Sequence, residues 1–286
     1  MTDTMPVAFI GHGSPMNALE ENRYTESWRA LAAALPRPRA VLVVSAHWYI
    51  NATAVTAMAR PRTIHDFYGF PTELFAVDYP APGDPAVAEE IVETVKPEWI
   101  GLDVDSWGLD HGTWSVLRHL FPEADVPVVQ LSINAFKPLE YHLELGARLA
   151  PLRRRGVLVL GSGNVVHNLG ALRFELGERA FDWADRFDDS VRELMQTEPG
   201  DVLRSRERAE FRLAVPTPDH FVPLVYLAAL AAEAGERCQV LVDGALGGSL
   251  TMTAYVAGSD VAARGRGATG ASVPAWPAAP ADQSDL

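Results

Sequence analysis

Three short apolar runs in this chain each end in small residues followed by a histidine. Residues 7–14 read Val-Ala-Phe-Ile-Gly-His-Gly-Ser, residues 41–48 read Val-Leu-Val-Val-Ser-Ala-His-Trp, and residues 157–168 read Val-Leu-Val-Leu-Gly-Ser-Gly-Asn-Val-Val-His-Asn. Runs this short, rich in Val, Leu and Ile and lacking polar alternation, fit strands buried on both faces, as in a parallel sheet. In an open α/β sheet, ligands bind in the crevice beyond the carboxyl ends of the strands. The pattern therefore puts His12, His47 and His167 just past strand ends, on one rim of one sheet. Their neighbours Gly11, Gly13, Ser45, Ala46, Gly161 and Gly163 are small, so a ligand can approach the backbone closely. A lone histidine in such a place reads as structural. Three in the same context read as a shared metal site, because neutral imidazoles suit zinc and iron.

The rest of the chain alternates between helix-like and strand-like segments. Helices are expected over 24–35, 84–96, 139–154, 181–195, 204–213 and 222–232, and strands over 7–10, 40–46, 53–58, 126–133, 157–160, 239–242 and 250–256. The fold class that follows is α/β: a single domain over 1–257 with a mostly parallel sheet flanked by helices, its metal site at the carboxyl ends of the strands. Residues 258–286 are mainly Gly, Ala, Pro, Ser and Asp, the composition of a disordered tail.

Two loops carry further candidates. Residues 60–83 mix prolines and glycines with Phe67, Tyr68, Phe70, Phe75 and Tyr79. A loop of that length either covers a site or packs as a connection. Its stretch His65, Asp66 and Phe67 is the part expected to meet a substrate. Residues 101–114 include Asp110-His111-Gly112-Thr113-Trp114 and read as a second site loop. His111 there can serve as acid/base or donate a hydrogen bond to a bound oxygen. His220 follows Pro218-Asp219 at a helix start. Asp219 has two readings, as the cap of that helix or as the acceptor that orients the imidazole. His119 and His142 fall inside helix-like segments and are assigned to structure.

Several classes are excluded or disfavoured. The net charge of -13 argues against nucleic acid or an anionic membrane as partner. No run approaches the ~18 apolar residues of a membrane span. Residues 1–10 lack the basic-then-apolar pattern of a secretion signal, so a cytoplasmic location is expected. The single cysteine, Cys238, rules out an intrachain disulfide and reads as a buried structural thiol. Gly11-His12-Gly13 and Gly161-Ser162-Gly163 begin like a dinucleotide fingerprint, but Met16 and Val166 hold the last glycine position. Phosphate-loop, nucleophile-elbow and His-Glu-x-x-His motifs are absent.

In order along the chain stand Gly11-His12-Gly13-Ser14-Pro15-Met16, Val44-Ser45-Ala46-His47-Trp48, Thr63-Ile64-His65-Asp66-Phe67, Tyr79-Pro80-Ala81-Pro82-Gly83, Asp110-His111-Gly112-Thr113-Trp114 and Gly161-Ser162-Gly163-Asn164-Val165-Val166-His167-Asn168. Together these closely resemble the 4,5-DOPA extradiol dioxygenase branch of the class III extradiol ring-cleavage dioxygenases, from about residue 6 to residue 256. The resemblance implies a non-haem metal, Fe(II) in the active enzyme, with Zn2+ also able to occupy the site. It implies partners that are a small aromatic diol and O2, giving a muconic semialdehyde. His12 and His47 match the two histidine ligands, and His220 matches a further metal contact. His167 matches a position that is a ligand in some members and the acid/base in the wider class. The carboxylate that completes the triad in the protocatechuate-type branch has no clear counterpart here. Two other readings use the same residues: a zinc hydrolase whose imidazoles serve to activate water, and a binding protein that kept the fold without turnover.

Overall fold

The structure, a computed structural model, describes residues 4–259. In chain order the elements are β1 (Val7–Gly11), α1 (Arg23–Ala34), β2 (Ala40–Ile50), β3 (Ala54–Thr56), α2 (Thr72–Phe75), α3 (Pro85–Thr94), β4 (Gly101–Asp103), α4 (His111–Leu120), β5 (Val128–Asn134), α5 (Leu139–Arg148) and α6 (Ala150–Arg153). They continue with β6 (Val157–Gly163), α7 (Asp182–Thr197), α8 (Phe211–Ala214), α9 (Val222–Glu233), β7 (Gln239–Val242), β8 (Ala245–Leu246), β9 (Leu250–Thr251) and β10 (Ala254–Ala257).

Eight strands form one sheet in the order β4-β3-β5-β2-β6-β1-β10-β7. The central four, β5, β2, β6 and β1, run parallel. β3 meets β5 antiparallel on one flank, and β10 and β7 add antiparallel strands on the other. β1, β5 and β6 are buried at every position; β1 and β6 consist of apolar or small residues throughout, and β5 also buries Gln130 and Asn134. Successive side chains alternate between faces. Phe9, Leu42, Val44 and Val159 join the core beneath α3, α5, α7 and α9, while Ile10, Val41, Val43 and Leu160 join the core with α1 and α4. Burying each such side chain contributes roughly 2 kcal/mol. The expected mostly parallel sheet between helices is therefore what the chain builds.

α9 is buried at ten successive positions, 222–231, and lies on β6, β1 and α5. A helix apolar on all sides needs cover on all sides, and α5 and the sheet supply it. Its start can touch β6 only because β6 carries glycines there. A Cβ at Gly161 would stand 2.6 Å from the Pro223 carbonyl oxygen, and one at Gly163 would stand 2.2 Å from that of His220. Gly161 and Gly163 thus bring His220, two residues before α9, alongside the end of β6.

Several segments differ from expectation. His47 lies inside β2 rather than past its end. β2 pairs with β5 at Val44↔Leu131 and again at Tyr49↔Ile133, so Ser45-Ala46-His47-Trp48 stand opposite one residue, Ser132. The bulge turns His47 out of the ladder. Residues 101–114 are not one loop: 101–103 form edge strand β4, and His111 opens α4, capped by Asp110, whose carboxylate accepts from the Thr113 N–H. The helix expected over 204–213 becomes a 3-10 helix, Pro199–Glu207, followed by α8. A period of three puts Val202 and Ser205 on one buried face. The strand expected over 250–256 is broken into β9 and β10 at Met252, whose backbone crosses Gly11.

Cys238 is buried just before β7, and burial pushes its thiol up to about 12, which suits a structural role. Among the described residues no helix is long and apolar enough to cross a membrane. Of the tail expected over 258–286, all but 258 and 259 lies outside the described residues.

Candidate metal centre

His12 follows β1 directly, and its N–H donates to the Gly163 carbonyl at 3.1 Å, continuing the β1–β6 ladder by one step. His47 comes from the β2 bulge, and His220 from the turn into α9. Each imidazole has a partner at Nδ1. For His12 it is Ser162 Oγ at 2.9 Å. Ser162 spends its own proton on the Gly112 carbonyl at 2.5 Å, so it accepts from His12. For His47 the partner is the Asp66 carboxylate, an ion-pair contact at 3.4 Å and not a hydrogen bond, and for His220 it is Asp219, which hydrogen-bonds Nδ1. An acceptor at Nδ1 fixes the proton there and leaves Nε2 with a lone pair.

Those lone pairs converge. Nε2 of His12 and Nε2 of His47 are 3.1 Å apart, and the buried Nε2 of His220 has no hydrogen-bond partner. Ligand atoms of the three residues lie within 4.8 Å of one another. A cation among the three nitrogens would take the place of the His12–His47 contact. Burial first, and neighbouring imidazoles second, hold His12 and His47 well below the usual histidine range, so both are neutral. Three neutral imidazoles fit zinc or Fe(II).

Two more histidines flank this trio. The His167 ring stacks on His220, with centroids 3.5 Å apart and planes 4° from parallel. Burial, then His220, lowers its pKa well below the usual value. On the other side the His111 ring is 3.8 Å from that of His47. The Asp66 carboxylate accepts the His111 backbone N–H at 2.9 Å and stands 3.1 Å from His111 Nδ1, off hydrogen-bond alignment. Burial pushes the Asp66 pKa up, but His111 and His47 outweigh it and hold the group well below the carboxylate range. Asp219 behaves alike beside His220. Asp110, wholly buried, is pushed up to about 6 by burial and then by Asp66, against hydrogen bonds from Ser45 and Gln130.

The structure thus gathers His12, His47 and His220 into one trio, with His167 against His220 and His111 against His47. Two other sets are as compact: His47 with Asp66 and His111, and His167 with Asp219 and His220. His65 sits in an aromatic cluster, its ring 5.5 Å from Trp114 and 5.8 Å from Phe67, and its Nε2 bonds the Val77 carbonyl at 2.9 Å. Phe67 is buried, edge-on to His111 at 5.5 Å. Of the two readings for Asp219, the structure shows orientation: α9 has no side-chain cap. His119 bonds Arg29 and the Asn17 carbonyl, and His142 bonds Tyr226 and the Asn134 carbonyl, both as structural residues. Ser162 behind His12 was not singled out in the sequence. The one hydroxyl between two glycines was its only signal.

Residues 6–247 match the family described as the catalytic LigB subunit of aromatic ring-opening dioxygenase. The chain is 45% identical over 252 residues to the 4,5-DOPA dioxygenase extradiol of Escherichia coli K12, covering 87% of this chain and 93% of that protein. It is 33% identical over 255 residues to the 4,5-DOPA dioxygenase extradiol of Beta vulgaris, covering 86% and 94%. A crystal structure of an uncharacterized protein from Escherichia coli K12 is similar with a TM-score of 0.76 and 40% identity, over 88% of this chain and 99% of that one.

Proposed function

We propose, from the premise that this chain belongs to the LigB family of aromatic ring-opening dioxygenases, that His12, His47 and His220 hold Fe(II) and that the substrate is a small, DOPA-like catechol. The enzyme is an extradiol ring-cleaving dioxygenase, and dioxygenases of this family are metal-dependent. The observation that supports the assignment of ligands is the gathering of ligand atoms of His12, His47 and His220 within 4.8 Å of one another, with Nε2 of His12 and of His47 3.1 Å apart.

Held by these imidazoles, such a metal would supply the route by which electron density passes from an aromatic diol to dioxygen. His167 is neutral and buried against His220, which suits it to take a proton from a catechol hydroxyl and return it as the ring opens. This role and that of a further ligand are both open to His167, and its contact with His220 rather than with His12 and His47 favours the proton role. His111, held by Asp66, is the group to hydrogen-bond dioxygen or a substrate oxygen. His65, Asp66 and Phe67 form the substrate-facing stretch, Asp66 acting through His111. Both atoms of O2 enter the product, a muconic semialdehyde, so no external reductant is needed. Zinc fits the same imidazoles but cannot pass electrons. A zinc hydrolase finds no support in the named relatives, which are dioxygenases. A cytoplasmic location, consistent with the single buried thiol Cys238, belongs to the same proposal.

The test is anaerobic reconstitution with Fe(II), followed by oxygen-electrode and visible-absorbance assays on L-DOPA and plain catechols, beside a zinc-loaded control. Oxygen uptake with a yellow product in the iron sample alone is expected. No uptake with any catechol would overturn the proposed chemistry.

A further inference from the structure

Two carboxylates stand behind the imidazole trio, and neither has a basic partner. Asp66 and Asp219 have side chains only 17% exposed, and their ion-pair contacts among the described residues are imidazoles: His47 and His111 for Asp66, His220 for Asp219. Elsewhere this fold compensates its buried carboxylates by other means. Asp188 meets Arg192 at 3.0 Å, and Asp110 collects hydrogen bonds from Ser45, Thr113, Gln130 and Trp107. Asp66 and Asp219 instead lie against the Nδ1 sides of two imidazoles of the trio, at 3.4 Å for Asp66 and His47 and in a hydrogen bond for Asp219 and His220.

We propose that Asp66 and Asp219 are positioning residues that supply the negative charge of the metal centre from behind its ligands. The inference rests on the reading that His12, His47 and His220 hold a divalent metal. In a two-histidine, one-carboxylate triad the carboxylate binds the metal itself. Here the charge stands one imidazole further out and is divided between two sides. Asp219 aims the Nε2 of His220 through the hydrogen bond at its Nδ1, and Asp66 faces Nδ1 of His47 as an ion-pair contact at 3.4 Å. Each also reaches an outer imidazole. Asp66 accepts the backbone N–H of His111, and an oxygen of Asp219 lies within 4.8 Å of nitrogens of both His167 and His220. His12 alone is held by a neutral hydroxyl, Ser162. The three imidazoles would thus hold a metal with the anionic charge standing one imidazole further out.

The test uses Asp66→Asn and Asp219→Asn in the full chain. Zn(II) affinity is measured by competition with a chromogenic chelator, Co(II) coordination by its visible absorption, and stability by the melting temperature of the metal-free protein. Each variant is expected to hold Zn(II) 10–100-fold more weakly than wild type, with an altered Co(II) band. The metal-free melting temperature is expected to fall somewhat, because neighbouring imidazoles favour both carboxylates in the metal-free fold, so the Co(II) band and the charge-keeping variant are the readouts that separate positioning from structure. Asp219→Glu, which keeps the charge, should hold Zn(II) more tightly than Asp219→Asn. Wild-type Zn(II) affinity, or a wild-type Co(II) band, in both asparagine variants would overturn the inference. A wild-type chain that binds neither Zn(II) nor Co(II) would overturn the underlying reading as well.

Discussion

At His12 the Ser162 hydroxyl takes the Nδ1 proton, and the ring is left with one lone pair facing His47. The histidines of strand-end context were legible from apolar runs and small residues. His220 was legible only as a choice, since Asp219 can cap or orient, and the fold settles it toward orientation. Asp66 was read at the substrate, and its contact with His47 and His111 was invisible because no periodicity links positions 47, 66 and 111. These geometries separate two kinds of mutant. His12→Ala and His47→Ala should lose metal and turnover together, with metal affinity falling by more than the ~100-fold that losing an outer partner costs. His167→Ala should keep metal but lose roughly 100- to 10,000-fold in kcat, the usual contribution of a positioned acid/base. Chelator competition beside oxygen-uptake kinetics checks both.

Elements carry the site through three local devices: the bulge of β2, the glycines of β6 and the Asp110 cap of α4. Strands with unbroken apolar runs were legible because burial on both faces leaves that mark. The bulge was not, because Ser-Ala-His-Trp reads equally well as the end of a strand. Gly163→Ala would drive a Cβ into the His220 carbonyl, so it is expected to destabilise by about 1–3 kcal/mol and to weaken metal retention by displacing His220. Urea unfolding and zinc titration of that variant check this. A second element-scale consequence concerns α5, which meets α9 and β5 through His142. Its Nε2–H donates to the Asn134 carbonyl and its Nδ1 accepts from Tyr226. Burial brings its pKa from 6.5 down to about 4. The unfolded chain therefore binds this proton more readily than the fold does. Stability from this group is complete above about pH 6.5 and is lost as pH falls toward about 4, by up to roughly 3 kcal/mol. His142→Phe should flatten that window in a urea-midpoint series against pH, even where the midpoint itself drops.

For the whole molecule, four parallel strands end on one rim, and the segments that follow or bulge from them deliver the imidazoles there. Fold class and family were legible because the strand-and-break pattern recurs and the motifs occur in order. The sheet order and the antiparallel flanks were not, since pairing between distant strands leaves no local trace. Because ligands come from β1, β2 and the α9 turn, metal should stabilise the native chain as a unit. Free Zn(II) at 100 times its Kd adds about 2.7 kcal/mol, or roughly 5–10 °C in melting temperature for a chain of this size. Calorimetry should find that gain in wild type and none in His12→Ala.

The most direct test is anomalous scattering at the iron edge from crystals of the anaerobically Fe(II)-loaded enzyme. The account predicts one peak within bonding distance of Nε2 of His12, His47 and His220, with Asp66 and Asp219 behind their imidazoles. A peak among His47, Asp66 and His111, or among His167, Asp219 and His220, would contradict it.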